Sequence, residues 1–191
     1  VGQEHIVGPD RVLRKSIEAD QMPSIILWGP PGSGKTTLAH LIATLTRSHF
    51  SLVSAVGSGV SDLRHIATDA RDRLGMHRQR TILFIDEIHR FNKAQQDVIL
   101  PHVENGTVIL IGATTENPSF EVNAALLSRS KVFVLHPLTT AEVRTVIKRA
   151  LEDTGQGLGG AGLEVSADAI ETIIHYANGD ARVALNLLEL A

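Results

Sequence analysis

The sequence predicts an α/β fold: a five-stranded parallel sheet followed by a small C-terminal group of helices. Three observations predict it. Five short apolar runs alternate with helix-period segments as far as residue 136. The central runs are apolar throughout, as strands covered on both faces must be. After His136-Pro137 the strand pattern stops and only helical periodicity continues. Strands separated by helices imply right-handed crossovers and a parallel order. The expected division is therefore 1–136 for the α/β core and 137–191 for a helical lid.

The elements follow in order. Ser24–Trp28 is the first strand, followed by the helical spacing Leu38, Leu41, Ile42, Leu45. Phe50–Val53 is the second. Ser61 and Asp62 are expected to cap a helix whose apolar face is Leu63, Ile66, Ala67, Ala70 and Leu74. Thr81–Ile85 is the third strand. A helix is expected over Phe91–Val103, with Pro101 kinking or ending it. Thr107–Ile111 and Lys131–Leu135 complete the sheet. In the lid, Val143 to Leu151, Ile170 to Ala177 and Ala181 to Leu188 each carry an apolar stripe. The glycine-rich stretch from Gly155 to Gly162 reads as a solvated connector, since no Lys-Ser/Thr pair follows it.

Bulk composition narrows the classes. The chain has 191 residues, enough for a core domain and a small satellite, with 43% hydrophobic and 20% charged residues. It has no cysteine, which excludes disulfides and thiolate metal sites. No apolar run approaches the roughly 20 residues of a membrane span, so no membrane role is expected. The net charge of −3 neither advertises nor excludes nucleic acid, and any basic field would be local. No secretory signal opens the chain, so a cytoplasmic (nucleoid) or nuclear setting is expected. The start at Val1 and the stop at Ala191 read as a fragment of something longer. None of the nine histidines stands at metal-site spacing, and none is assigned to a metal.

Gly29-Pro30-Pro31-Gly32-Ser33-Gly34-Lys35-Thr36 fits G-x-x-x-x-G-K-[ST] between a strand and a helix. Glycines there let several backbone N–H groups converge on phosphate oxygens, and the helix N-terminus aims its positive end at the same point. The cofactors implied are ATP and Mg²⁺. Residues 29–36 and Thr37 form the cradle, Lys35 reaches the β- and γ-phosphates, and the Thr36 hydroxyl ligates the metal. Asp86, ending the third strand, is the second metal ligand. Glu87 polarises the water that attacks the γ-phosphorus; the plainer alternative is a carboxylate solvating a strand end.

These residues resemble the AAA+ superfamily over nearly the whole chain. That resemblance implies a first sensor in Gly112-Ala-Thr-Thr-Glu-Asn117: Thr115, with Thr114 as the fallback. Leu127-Ser-Arg129-Ser130 resembles the Ser-Arg-Cys element of clamp-loader ATPases, where the arginine reaches a neighbouring subunit's nucleotide. Arg129 would then stabilise charge on the transferred phosphoryl, the alternative being a surface ion pair. Gly179-Asp-Ala-Arg182 resembles the second sensor, so Arg182 would report from the lid on the γ-phosphate, with ATP held between phosphate loop and lid. Gln3 to Gly8 resembles the segment bordering adenine, with Ile6 and Val7 against the base.

Within the superfamily, Phe84-Ile-Asp-Glu-Ile-His-Arg-Phe-Asn-Lys93, Gln95-Gln96, Leu100-Pro-His-Val-Glu104 and Ile111 to Arg129 resemble the RarA/MgsA family, which includes the eukaryotic Werner-helicase-interacting ATPase. That resemblance implies a DNA-stimulated ATPase at stalled forks or DNA ends, serving replication-stress response, recombination and repair. It implies a homotetramer at full length, with single-strand-binding protein, helicase or polymerase as partners. A RuvB-like branch-migration motor or a clamp-loader subunit is the alternative. A threading unfoldase would present an aromatic pore loop, and Ala55 to Val60 has no aromatic residue. A nucleotide-sensing scaffold need not retain Lys35, Asp86, Glu87 and Arg129 together. Two readings stand for Arg64, Arg71, Arg73, Arg78, Arg80, Arg90 and Lys93: phosphate contacts to DNA, or a solvated face balanced by Asp62, Asp69 and Asp72. Phe91, Gln95 and Gln96 are assigned to packing or capping.

Overall fold

A computed structural model describes residues 1–54, 57–161, 163 and 165–190. The residues from Ala55 to Val60 read above as lacking an aromatic grip, and the connector ending at Gly162, thus lie partly outside the described residues. The strands are β1 Ser24–Trp28, β2 His49–Ser54, β3 Thr81–Asp86, β4 Val108–Thr114 and β5 Ser130–Val134. They form one parallel sheet in the order β2-β3-β4-β1-β5. The predicted five-stranded parallel α/β class is the one observed.

The order follows from burial. β1, β3 and β4 are the uniformly apolar runs, and Ile25, Ile26, Leu27, Phe84, Ile85, Leu110 and Ile111 are buried. They occupy the centre of the sheet. β5, with Lys131, Val132 and Val134 exposed, takes an edge. The chain leaves β1 for β2 at one edge, and after β4 it crosses to β5 on the other side of β1, so the direction of winding reverses beside β1. Open α/β sheets bind ligands outside the carboxyl ends of strands at such a reversal.

The helices are α1 Glu4–Val7, α2 Val12–Glu18, α3 Lys35–Leu45, α4 Val60–His77, α5 Lys93–Glu104, α6 Pro118–Glu121, α7 Ala124–Leu127, α8 Thr140–Glu152, α9 Ala167–Ala177 and α10 Ala181–Leu190. Three expectations are corrected. Gly59, not Ser61 or Asp62, is the N-cap of α4, and Asp62 reaches back to accept from the Gly59 N–H at 2.7 Å. Helix α5 starts at Lys93, because Asn92 caps it in a reciprocal pair with Gln95. It also runs through Pro101 to Glu104, so the proline does not end it, and the Asn105 N–H closes the last turn on the Pro101 carbonyl at 3.1 Å. Phe91 is buried and Gln96 donates to the Phe91 and Glu121 carbonyls, so packing and capping are what this segment does.

The chain forms two compact units. One comprises His5–Gly29 and Lys35–Val134; the other comprises Val1–Glu4, Pro30–Gly34 and the chain from Leu135 onward. The sheet unit is filled by Ile26, Val53, Leu63, Leu83, Ile85, Leu110 and their neighbours. The helical unit has its own core of Leu138, Val143, Ile147, Ile173, Ile174, Ala177, Ala184 and Leu188. Its connector folds back on α8 through Leu158 N–H to the Ala150 carbonyl at 2.7 Å. A Cβ on Gly157 would lie 2.3 Å from that same carbonyl oxygen. Among the described residues no helix is long and apolar enough to cross a membrane.

Candidate nucleotide-binding and hydrolysis site

The sheet unit brings three strand ends together. Trp28 of β1 pairs with Thr114 of β4, Ile85 of β3 pairs with Gly112 of β4, and the Gly29 N–H donates to the Thr114 carbonyl at 3.1 Å. Asp86 therefore ends one strand, the phosphate loop leaves a second, and Thr114 ends the strand between them. Lys35 opens α3 and is buried, with its Nζ donating to the Gly29 carbonyl at 2.8 Å. Thr36 is half-buried and Thr37 exposed. Asp86, half-buried, lies in register with Ser54 of β2. A hydroxyl and a carboxylate are the hard oxygen ligands that Mg²⁺ takes, so Thr36 and Asp86 fit that ion chemically.

The loop's conformation needs its glycines. Gly32 and Gly34 have φ of +64° and +94°. No heavy atom comes within 4 Å of a Cβ built on Gly34, so its open side can admit a ligand. A Cβ on Gly32 would fall 1.8 Å from Asp180 Oδ1. Asp180 caps α10 by accepting from the Arg182 and Val183 N–H groups, and the Ala181 N–H donates to the Gly32 carbonyl at 3.2 Å. Ser33 is buried, and its hydroxyl donates to the Pro30 carbonyl at 2.8 Å. Gln3 ties the same unit together, donating to the Ser33 and His136 carbonyls. Pro31 and Arg182 are exposed.

Glu87 stands at φ +55°, ψ +49°, a left-handed conformation that costs a non-glycine residue about 1–2 kcal/mol. The tight turn Ile88–Arg90 follows, closed by the Arg90 N–H on the Glu87 carbonyl at 2.8 Å. Ile88 is fully buried against Gly112, where a Cβ would meet its Cδ1 at 2.9 Å. This turn carries His89 back over the strand ends. Its Nδ1 lies 3.0 Å from Thr114 Oγ1 and 3.3 Å from Glu87 Oε2. Thr114 is fully buried and its hydroxyl also meets the Glu116 backbone, whereas Thr115 is half-buried just past the strand.

Arg129 is exposed on the sheet unit. Its Nη2 pairs with Glu104 Oε1 at 2.6 Å, and its Nη1 donates to the Ala125 carbonyl and to Ser128 Oγ. Ile6 is buried in α1. Val7 borders a hollow of about 410 Å³ with Ile17, Leu38 and Leu41. Among the basic residues considered for DNA, Arg73 donates to Thr81 Oγ1 and Arg80 binds the Asp20 carbonyl and carboxylate. Arg64, Arg71, Arg78, Arg90 and Lys93 are exposed. Sequence reasoning missed His89, Glu104 and Asp180. All three lie within stretches that carry the family resemblance, but nothing in their local pattern marks a role.

The chain belongs to the AAA family of ATPases: the profile of the "ATPase family associated with various cellular activities (AAA)" matches residues 25–138. It is 53% identical over 192 residues to the replication-associated recombination protein A of Haemophilus influenzae, covering 99% of this chain and 42% of that protein. It is 49% identical to the Escherichia coli K12 protein of that name, covering 100% of this chain and 42% of that protein. It is 51% identical to the ATPase WRNIP1 of Dictyostelium discoideum, covering 100% of this chain and 22% of that protein. The RarA-type resemblance read from the motifs is borne out by these relatives, and the chain spans less than half of their length. Among solved structures, the Thermotoga maritima RuvB Holliday junction branch migration motor matches with a TM-score of 0.79 at 30% identity, covering 99% of this chain and 61% of that one.

Proposed function

We propose that this AAA domain binds ATP with Mg²⁺ and cuts the γ-phosphate bond. The larger protein would couple that cycle to DNA forks or ends in replication stress, recombination and repair. The observation that supports it most is the joining of the phosphate-loop strand, Asp86-Glu87 and Thr114 at adjacent strand ends, on a chain so similar to the recombination proteins. Residues 29–37 hold the triphosphate, with Lys35 matching its charge. Thr36 and Asp86 hold Mg²⁺, whose charge neutralises phosphate oxygens when bound. Glu87 takes hydrogen bonds from the attacking water and orients it, with Thr115 as first sensor. Ile6 and Val7 meet the base, and Arg182 meets the γ-phosphate. Arg129 serves a neighbouring copy, in a self-assembly of four at full length. Single-strand-binding protein, helicase or polymerase are the expected partners, in the nucleoid or nucleus.

The test is ATP turnover by the full-length protein with forked, primed and blunt DNA. Glu87→Gln should keep ATP binding and lower turnover by about 10²-fold or more. Arg90→Ala with Lys93→Ala should reduce DNA stimulation and flatten its salt dependence. Turnover that ignores both changes would sink the assignment. A branch-migration motor is the second reading: the RuvB motor shares the fold, at 30% identity against 53% and 49% for the Haemophilus influenzae and Escherichia coli recombination proteins. A four-way junction as the best stimulating DNA would select it.

A further inference from the structure

We infer that His89 is a positioning residue for Glu87: its Nδ1–H, seated on the Thr114 hydroxyl, fixes the direction of the Glu87 carboxylate. The inference rests on the hydrolytic role proposed above for Glu87.

The donor and acceptor count assigns the tautomer. A threonine hydroxyl has one hydrogen to give and two lone pairs to share. At Thr114 the Glu116 N–H takes one lone pair at 3.0 Å, and the Glu116 carbonyl lies 3.3 Å away as an acceptor for the hydroxyl hydrogen. One lone pair is left, and His89 Nδ1 stands 3.0 Å from it. A bare ring nitrogen could instead accept the hydroxyl hydrogen. That arrangement would set its lone pair against the Glu87 carboxylate oxygen 3.3 Å away. An N–H at Nδ1 suits both neighbours: it donates to the Thr114 hydroxyl and turns the positive edge of the ring, not a lone pair, toward the Glu87 carboxylate oxygen.

The anchor is rigid because Thr114 is fully buried at the end of β4 and its hydroxyl is tied to the Glu116 backbone. The imidazole is mostly buried, and the turn that carries it is locked by Ile88 beneath Gly112. The Glu87 side chain, by contrast, is about one-third exposed. Without a partner such a carboxylate samples several rotamers, and a misplacement of about 1 Å at a reacting group costs on the order of a hundredfold in rate. His89 supplies the partner without touching the substrate.

The experiment compares His89→Ala, His89→Asn and His89→Gln in the full-length protein, with ATP affinity measured by calorimetry alongside kcat and KM. An asparagine amide places its N–H near the imidazole Nδ1 position; a glutamine amide places it nearer Nε2. The expected result is a kcat lowered about a hundredfold in His89→Ala and His89→Gln, with KM and ATP affinity held, and recovery of most of the rate in His89→Asn. Wild-type kcat in His89→Ala, or equal losses in the asparagine and glutamine variants, would overturn it. Both amide variants are close to histidine in size, so their difference remains informative if the alanine variant folds poorly. Failure of the wild-type protein to turn over ATP would instead bring down the hydrolytic reading itself, and this inference with it.

Discussion

Gly32 and Glu87 at the candidate site both hold left-handed backbone, for different reasons. Gly32 does so because the phosphate loop must turn there and because the Asp180 carboxylate occupies the place of a side chain. Glu87 does so at a cost, as residues in strained functional turns commonly do. Gly32→Ala should therefore lower the thermal midpoint by more than the strain of about 1 kcal/mol alone, since Asp180 must also move. It should also weaken ATP binding in calorimetry; unchanged melting and affinity would contradict the packing described. The phosphate loop, Asp86 and Glu87 were legible because their spacing is set by local chemistry. His89 was not, because its importance comes from Thr114, 25 residues away in sequence and brought near only by strand pairing.

At the scale of elements, the strands were legible to within a few residues because each is a buried apolar run. The ends of helices were less so. Backbone geometry let Gly59 take the capping position that composition gave to Ser61 or Asp62, and α5 absorbed Pro101 close to its last turn. The long α4 and its neighbours also carry a pH dependence. Burial, reinforced by the Arg71 guanidinium, lowers the pKa of His102 on α5. Burial and Arg73, partly opposed by Asp69, lower that of His49 at the start of β2. Both side chains favour the neutral form in the folded state, so the unfolded chain takes up protons first as pH falls. Their contribution to stability is present above the ordinary histidine value of about 6.5 and is lost below it. Denaturation midpoints should hold above about pH 7 and decline toward pH 5.5, and His49→Gln with His102→Gln should flatten that decline. An identical slope in the double variant would remove the assignment.

At the scale of the whole molecule, the number of strands and their parallel order followed from the alternation of patterns, whereas the placement of β1 between β4 and β5 did not. No local signal encodes which strands become neighbours. Nor did the sequence show that Val1–Glu4 and Pro30–Gly34 group with the helical unit. Assembly is the property that the proposed role of Arg129 depends on. Turnover per subunit should rise with protein concentration, and Arg129→Ala should lower the plateau by about 10³-fold. A flat dependence on concentration would rule out a contribution from a neighbour. The contact between Arg129 and Glu104 gives that association a particular character. Because the guanidinium already holds a carboxylate, the proposed reach to a second copy's nucleotide would be a partner exchange rather than the capture of a loose cation. Arg129 itself would then add to such docking only the difference between its two acidic hosts, and the exposed pair it gives up is worth no more than about 1 kcal/mol.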